Sequence, residues 1–128
     1  MRLLLDTHAF YWWLEEPSRL PAETSGFLSS SDTDVLVSVV SIYEIASKAR
    51  INKLKTAVIN VGQLPAVIKK EGFTLLSIRA DHALLAGSME GDLRDPFDRL
   101  LAAQAIVEEV PLVSKDRAMR QFGCEILW

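Results

Sequence analysis

Residues 2–8 read Arg2-Leu3-Leu4-Leu5-Asp6-Thr7-His8, and this stretch decides the class of fold. A continuous apolar run that ends in an acid is typical of a strand buried on both faces of a parallel sheet. Downstream, further short apolar runs alternate with helical patterns, which predicts right-handed crossovers between parallel strands. We therefore expect an α/β fold, a three-layer α/β/α sandwich with a central, mostly parallel sheet.

The pattern places five strands and several helices along the chain. The predicted strands cover residues 2–6, 35–40, 73–78, 110–113 and 124–127. The predicted helices cover residues 7–16, 21–29, 42–51, 81–89, 96–108 and 115–122, with another ending at Glu71 before Gly72 as its cap. Pro21 is predicted at the first position of its helix. Because the 128 residues contain no repeat or linker, we expect one domain spanning residues 1–128.

Composition excludes several classes of function. One cysteine, Cys124, rules out an internal disulfide framework and a cysteine-rich zinc site, and two histidines argue against a histidine-based one. The formal net charge of −3 gives no sign of nucleic-acid binding, although bound metal ions would offset this. Asp6 interrupts the apolar start too early for a signal peptide, and no stretch approaches the ~18 apolar residues of a membrane helix. We expect a soluble, cytoplasmic protein with no membrane partner.

Acidic residues stand at the predicted junctions between strands and helices. Asp6 ends the first strand, Glu44 follows the second, and Asp116 follows the fourth. Asp98 lies at the start of the helix that leads into the fourth strand, and it joins the others if that helix start points to the same edge. Ligands of parallel α/β sheets bind beyond the carboxyl ends of the strands, so the chemistry is expected here.

Each acid, taken alone, also has a structural explanation. The spacing Ser41-x-x-Glu44 fits a capping box, and Asp95 before Pro96 fits a helix N-cap. Asp98 would favour the dipole of the same helix. Asp6 also suits a cap of the first helix, and Asp116 lies in the first turn after Ser114, itself a plausible cap. For any single acid the structural interpretation is the stronger one.

Together, the four acids favour a metal site. Carboxylates that converge on one edge would repel one another, and a divalent cation removes that penalty. Hard oxygen ligands without histidine or cysteine suit Mg²⁺ or Mn²⁺. Such an ion would bridge an acidic protein to a polyanion, and the chemistry that this favours is phosphodiester hydrolysis.

Four motifs, in this order along nearly the whole chain, resemble PIN-domain ribonucleases, and among these the VapC toxins of toxin–antitoxin pairs. The motifs are Leu4-Leu5-Asp6-Thr7-His8, Ser38-x-x-Ser41-x-x-Glu44-Ile45-x-x-Lys48, Arg94-Asp95-Pro96-Phe97-Asp98-Arg99-Leu100-Leu101-Ala102-Ala103-Gln104-Ala105 and Leu112-Val113-Ser114-Lys115-Asp116. The Asp-Pro-Phe-Asp-Arg block is the most specific of them. The resemblance implies a Mg²⁺-dependent endoribonuclease that a VapB-type antitoxin neutralises, and a homodimer.

By position, the resemblance implies an acidic, metal-binding quartet. Asp6 and Asp98 would be the direct ligands, Glu44 would help to activate water, and Asp116 would ligate more loosely or through water. We expect Mg²⁺ as the cofactor, with Mn²⁺ as a substitute, and either one ion or two.

The resemblance also implies supporting residues. Thr7 and Ser114 match small hydroxyl positions that orient the acids, and Asp95 is a cap first and a site residue second. The chain departs from the pattern at Leu93, where relatives often carry histidine two positions before the Asp-Pro pair. This leaves the effect of Leu93 on rate or specificity open.

Aromatic residues in the first helix predict a surface for a partner. Phe10, Trp13 and Leu14 share the core-facing side by their spacing. Tyr11 and Trp12 would then face outward as an exposed aromatic pair. In VapC-like proteins the antitoxin packs near this helix, so Tyr11 and Trp12 are candidate antitoxin contacts. His8 could face the site, but a structural role is the stronger interpretation.

Basic residues leave two interpretations open. For Lys48, Arg50, Lys53 and Lys55 a solvated helix end is the stronger interpretation, and contact with an RNA backbone is the alternative. For Arg94, Arg99, Lys115 and Arg117, phosphate contacts and solvated surface charge are equally open.

Two other classes of function compete with the nuclease. A catalytically silent PIN-like binding or scaffold module would be favoured by loss of members of the quartet, and none is lost. A phospho-acceptor receiver domain has a similar length, but it requires an acidic pair after the first strand and an acceptor acid after the third. Here Asp6 stands alone, and Ser77-Ile78-Arg79 follows the third strand.

Overall fold

A computed structural model describes residues 1–51 and 60–128, which form a five-stranded parallel sheet covered by helices. The strands are β1 (Arg2–Leu5), β2 (Asp34–Ser38), β3 (Thr74–Leu76), β4 (Leu112–Val113) and β5 (Ile126–Leu127). Every strand pair is parallel, in the spatial order β3-β2-β1-β4-β5. The predicted α/β class with a parallel sheet is confirmed.

Helices follow most strands, as the alternating pattern predicts. The described α-helices are α1 (Thr7–Glu15), α2 (Ala22–Ser29), α3 (Val39–Arg50), α4 (Leu64–Lys70), α5 (Ala80–Ser88) and α6 (Pro96–Glu108). Three short 3-10 helices cover Pro17–Arg19, Val61–Gln63 and Arg117–Phe122.

The apolar run at the start of the chain forms the central strand. Leu3 and Leu5 pack into one core cluster with Phe10 of α1, whereas Leu4 packs into a second cluster with Leu101 of α6. All three leucines are fully buried, because successive side chains of a strand point to opposite faces and helices cover both faces of this sheet. The sheet is therefore the middle layer of a sandwich.

The strand order reverses beside β1. From β1 the chain adds β2 and then β3 on one side, and it later places β4 on the other side of β1. Such a reversal opens a crevice at the carboxyl ends of the two strands that flank it, because the connections leave in opposite directions. Asp6 directly follows β1 and Ser114 directly follows β4, so both lie at this crevice.

Helix α3 begins earlier than its sequence pattern predicts. Ser38 is the N-cap, and its side chain accepts a hydrogen bond from the Val40 N–H at 3.1 Å. The proposed capping box of Ser41 and Glu44 is therefore wrong, because both residues already lie within the helix. Because the Ser38 hydroxyl caps the helix, β2 ends at Ser38. The β-branched pair Val39-Val40 then forms part of the first helical turn instead of extending the strand.

Smaller differences concern the ends of elements. Pro21 is the N-cap of α2 rather than its first residue, and the segment predicted as a helix over 115–122 is the 3-10 helix Arg117–Phe122. Gly72 takes a φ of +78° directly after the last turn of α4, as expected of its capping position. Across residues 1–51 and 60–128, none of the helices has the length and apolar character that a bilayer span requires.

Candidate active-site cleft

A cleft of about 340 Å³ opens at the carboxyl ends of β1 and β4. Five acids line it, here called the cleft acids: Asp6, Glu44, Asp95, Asp98 and Asp116. Its other lining residues are Thr7, His8, Trp12, Lys48, Leu101 and Lys115. The structure thus brings together all four acids of the predicted quartet, together with Thr7 and Asp95.

Asp6 lies at the floor of the cleft. It is 8% exposed and is the N-cap of α1, where its Oδ1 accepts a hydrogen bond from the Ala9 N–H at 2.7 Å. Burial raises the pKa of Asp6, and hydrogen bonds from Ser114 and Ala9 act in the opposite direction. The Asp6 carboxylate therefore has two roles: one oxygen caps α1, and the group also lines the cleft.

Glu44 is held by a pair of hydroxyl groups. The Thr7 hydroxyl donates to Glu44 Oε1 at 2.6 Å, and Thr7 Oγ1 lies 3.0 Å from the buried hydroxyl oxygen of Ser41. Residues 41, 44 and 48 share one face of α3, and Lys48 Nζ lies 3.8 Å from Glu44 Oε2. The hydroxyl of Thr7 thus orients the carboxylate that the sequence places on α3.

Asp98 projects from the first turn of α6, which Asp95 caps. Asp95 Oδ1 accepts a hydrogen bond from the Phe97 N–H at 2.9 Å, as its position before Pro96 predicts. Asp98 itself is half-buried. Burial, followed by the negative charges of the other cleft acids, raises the pKa of Asp98 from 3.8 to about 7. The cleft therefore carries negative charge that the protein does not neutralise at this position.

Ser114 links two acids on the far side of the cleft. Its buried side chain forms a hydrogen bond with Asp6, and its Oγ accepts one from the backbone N–H of Asp116 at 3.0 Å. Asp116 is exposed and caps the following 3-10 helix by accepting from the Ala118 N–H at 3.0 Å. The supporting position predicted for Ser114 agrees with these contacts.

The basic residues divide into two groups. Lys48 and Lys115 line the cleft, whereas the guanidinium of Arg99 lies among backbone carbonyls, including those of Ala86 and Leu93 at 2.8 Å. The Arg99 guanidinium thus bonds the backbone, and the phosphate contact considered for Arg99 stays a prediction. Lys53 and Lys55 lie outside the described residues.

The exposed aromatic pair predicted on α1 is not found. Tyr11 and Trp12 are both half-buried and pack against the core cluster that contains Phe10. Trp12 also lines the cleft. Its ring makes an edge contact with the Trp128 ring at 5.8 Å between centroids, and the Arg19 guanidinium carbon lies 4.9 Å from the centroid of the Trp12 ring. The spacing argument fails because α1 is covered on more than its sheet-facing side. The antitoxin contact of these residues stays a prediction.

Tyr43 is an exposed aromatic residue that sequence reasoning missed. Its side chain is 60% exposed, and its ring lies 5.4 Å from the Phe97 ring, centroid to centroid. The two rings precede Glu44 and Asp98 directly, so the pair joins α3 to α6 beside the cleft. A single tyrosine in a helix gives no signal of this in the sequence.

Comparisons with known proteins agree with this geometry. The PIN domain family matches residues 3–123. Ribonuclease VapC22 of Mycobacterium tuberculosis is 35% identical over 121 residues, which cover 92% of this chain and 89% of that protein. The chain therefore belongs to the PIN domain family, and within it to the VapC-like proteins.

Solved structures show the same fold at low sequence identity. A crystal structure of VapBC2 from Rickettsia felis bound to a promoter DNA fragment matches with a TM-score of 0.74 and 16% identity, covering 99% of this chain and 98% of that one. FitAcB from Neisseria gonorrhoeae matches with a TM-score of 0.65 and 17% identity, covering 98% and 96%. These similarities extend over nearly the whole chain.

Thr7→Val is expected to impair the site while preserving its shape. Valine removes the hydroxyl that donates to Glu44, and it leaves the buried hydroxyl of Ser41 without this partner. We expect the free energy of unfolding to fall by about 1–2 kcal/mol and RNA cleavage to slow by about tenfold. Thermal unfolding and cleavage kinetics measure the two effects. Thr7→Ser retains the hydroxyl and is the control; equal cleavage by both variants would contradict the orienting role of Thr7.

Proposed function

We propose that this chain is a metal-dependent endoribonuclease that hydrolyses RNA phosphodiester bonds, with Asp6, Glu44, Asp98 and Asp116 as its catalytic acids. The observation that carries the proposal is the convergence of these acids, from four separate parts of the chain, on one cleft at the reversal of strand order. The kinship with a protein named Ribonuclease VapC22 supports the substrate class.

A divalent cation fits the donors that this cleft offers. The donors are carboxylate oxygens. Burial, followed by repulsion from the other cleft acids, raises the pKa of Asp98 to about 7, and a cation would relieve that repulsion. Asp6 and Asp98 would hold the ion directly, with Glu44 and Asp116 near it. In the described part of the chain, no three acidic, histidine or cysteine side chains form a group that could hold an ion by themselves. The protein would therefore supply one or two carboxylates, and water and substrate oxygens would complete the coordination. Such a set of ligands suits Mg²⁺, with Mn²⁺ as its substitute.

When bound, the ion would supply Lewis-acid stabilisation of the phosphate and a water molecule of lowered pKa. The chain's own residues supply the rest. Glu44, fixed by the Thr7 hydroxyl, is oriented to accept a proton from the attacking water at its carboxylate. Lys48 and Lys115 place positive charge at the cleft, where the phosphate of a polyanion would bind.

The proposal includes the partners and setting of a toxin. A VapB-type antitoxin would neutralise the enzyme, and the similarity in fold to chains of the VapBC2 and FitAcB structures agrees with such a partner. Tyr11 and Trp12 are its candidate contacts, a homodimer is the expected assembly, and the cytoplasm is the expected location. A silent PIN-like binding module is the alternative, and the complete acidic cleft argues against it.

Cleavage of structured RNA by the purified protein tests the proposal. We expect cleavage with Mg²⁺ or Mn²⁺, no cleavage with EDTA, and a loss of at least about a thousandfold in Asp98→Asn. Asp32→Asn is the matched control, since Asp32 is an exposed acid in the loop before β2, at the opposite edge of the sheet. Metal-independent cleavage, or equal cleavage by wild type and Asp98→Asn, would refute the assignment.

Tyr43→Ala is expected to weaken binding of single-stranded RNA. The exposed ring beside Glu44 and Asp98 offers a stacking face for a base next to the cleaved phosphate, and such stacking contributes about 1–3 kcal/mol per base. Fluorescence anisotropy with Asp98→Asn protein, which would not consume the RNA, should show a Kd at least about fivefold higher. Tyr43→Trp should preserve binding, and Leu84→Ala, at a 73% exposed site on α5, should not change it. An unchanged Kd for Tyr43→Ala would contradict the contact.

A further inference from the structure

Arg99 follows Asp98 on α6, but its side chain serves the backbone rather than the cleft. Its guanidinium donates hydrogen bonds to the carbonyl oxygens of Ala86 and Leu93 at 2.8 Å, of Gly91 at 3.4 Å, and of Met89. These carbonyls belong to the end of α5 and to the α5–α6 loop, residues 89–95. Arginine presents its donors in a rigid planar fork, so four carbonyls around one guanidinium define the path of the loop.

Gln121 holds the same loop from the other side. Its Oε1 accepts hydrogen bonds from the backbone N–H groups of Asp92 at 2.5 Å and Leu93 at 3.4 Å, and its Nε2 donates to the Ala118 carbonyl at 3.0 Å. Gln121 lies in the 3-10 helix whose N-cap is Asp116. One side chain thus connects the loop before α6 to the element that begins with Asp116.

Gly91 allows the α5–α6 loop to pack closely against the 3-10 helix that contains Gln121 and Phe122. Its φ is +151°, and a Cβ atom there would overlap the Phe122 ring and lie 2.9 Å from Gln121 Oε1. The Phe122 ring also lies 5.1 Å from the Arg99 guanidinium carbon. No side chain fits at position 91, so the loop backbone there packs directly on the Phe122 ring.

We infer that Arg99 and Gln121 are positioning residues that fix the separation between Asp98 and Asp116 across the cleft. The inference rests on the proposed function. Ionised Asp98 and Asp116 repel each other. Asp98 lies on α6 and Asp116 caps the 3-10 helix that follows β4, so the side chains that connect these two helices through the loop oppose the repulsion. Arg99 fixes the loop to the Asp98 helix, and Gln121 fixes it to the Asp116 helix.

Metal affinity distinguishes a positioning role from a merely structural one. We expect Arg99→Lys and Gln121→Met, which lose the fork and the acceptor oxygen, to bind Mn²⁺ about tenfold more weakly by calorimetry. Their kcat on RNA should fall about 10–100-fold, while KM changes less than about threefold. Gln121→Glu keeps the oxygen that accepts from the loop and loses only the donor to the Ala118 carbonyl, so it should recover part of both losses.

Arg79→Lys is the matched control. Arg79 bonds Asp81 and also Glu108 at the opposite end of α6, so the substitution disturbs an arginine network of the same helix without touching the loop. We expect it to leave Mn²⁺ affinity and kcat unchanged. If Arg99→Lys does not fold, Gln121→Met and Gln121→Glu carry the comparison.

The two levels of the proposal fail in different ways. Wild-type protein that binds Mn²⁺ and cleaves RNA, together with Arg99 and Gln121 variants that match Arg79→Lys in affinity and kcat, would overturn the positioning role alone. Wild-type protein that neither binds Mn²⁺ nor cleaves RNA would overturn the proposed function and this inference with it.

Discussion

Asp98→Asn is expected to raise the thermal stability of the protein at pH 8 while it abolishes RNA cleavage. Burial and the neighbouring acids raise the pKa of Asp98 from 3.8 to about 7, so its ionised form is costly in the folded protein. Asparagine removes the charge and keeps the shape. Because the side chain is half-exposed and solvent screens its charge, we expect a gain on the order of 1–2 kcal/mol, well below what the full shift implies.

The pH dependence of this gain identifies its cause. Below about pH 4 the carboxyl is protonated in both the folded and unfolded chains, so Asp98 costs nothing there. Between 3.8 and about 7 the folded protein retains a proton that the unfolded chain releases, so stability falls as pH rises through this window. The Tm difference between Asp98→Asn and wild type should therefore grow from pH 4.5 to pH 8.

Thermal unfolding with and without Mn²⁺ completes the test. At pH 8 the ion should raise the Tm of wild type, because it binds the folded state and neutralises the repulsion, and it should raise that of Asp98→Asn much less. Asp32→Asn should follow wild type in both buffers. A Tm difference that does not depend on pH would contradict the electrostatic explanation.

Phe10→Ala is expected to cause the largest loss of stability among the variants considered. Phe10 is fully buried on α1 and packs in the core cluster with Leu3, Leu5 and Val37. Truncation of a buried phenylalanine costs about 3–5 kcal/mol, because the transfer free energy is lost and a cavity remains. Urea unfolding measures this loss as a lower midpoint, and Phe10→Leu should lose less than half as much.

Activity should survive this substitution at low temperature. Phe10 packs on the sheet side of α1, whereas Thr7 contacts Glu44 on α3. At a temperature where the variant remains folded, cleavage within a few-fold of wild type is expected. A loss of less than about 1 kcal/mol for Phe10→Ala would show that α1 does not rely on this contact.

Much of this fold can be predicted from the sequence, because its local patterns agree with one another. Leu3-Leu4-Leu5 can be buried on both faces only in a sheet covered by two layers, and Pro96 after Asp95 defines the start of α6. The start of α3 could not be predicted, since Ser38 and Ser41 are equally good caps by residue type. Tertiary contacts distinguish the two serines. The Ser41 hydroxyl pairs with Thr7 inside the protein, and Ser38 is the residue that caps the helix.

The acids of the cleft could be predicted, but the side chains around them could not. Strand ends and a family resemblance locate Asp6, Asp98 and Asp116, because these depend on the order of elements along the chain. The contacts of Arg99 depend on the path of the α5–α6 loop, and the exposure of Tyr43 depends on how α3 meets α6. Neither is encoded in a local pattern.

The central position of β1 has a consequence for the order of events during synthesis. Among the five described strands β1 is synthesised first and its partner β4 fourth, and the paired residues Leu5 and Val113 are separated by more than a hundred positions. Contacts between such distant parts of a chain form late, since the entropy of closing the loop must be overcome before they contribute. A nascent chain that has not yet released β4 also lacks Ser114 and Asp116. The acidic cleft is therefore complete only after β4 and Asp116 have been synthesised.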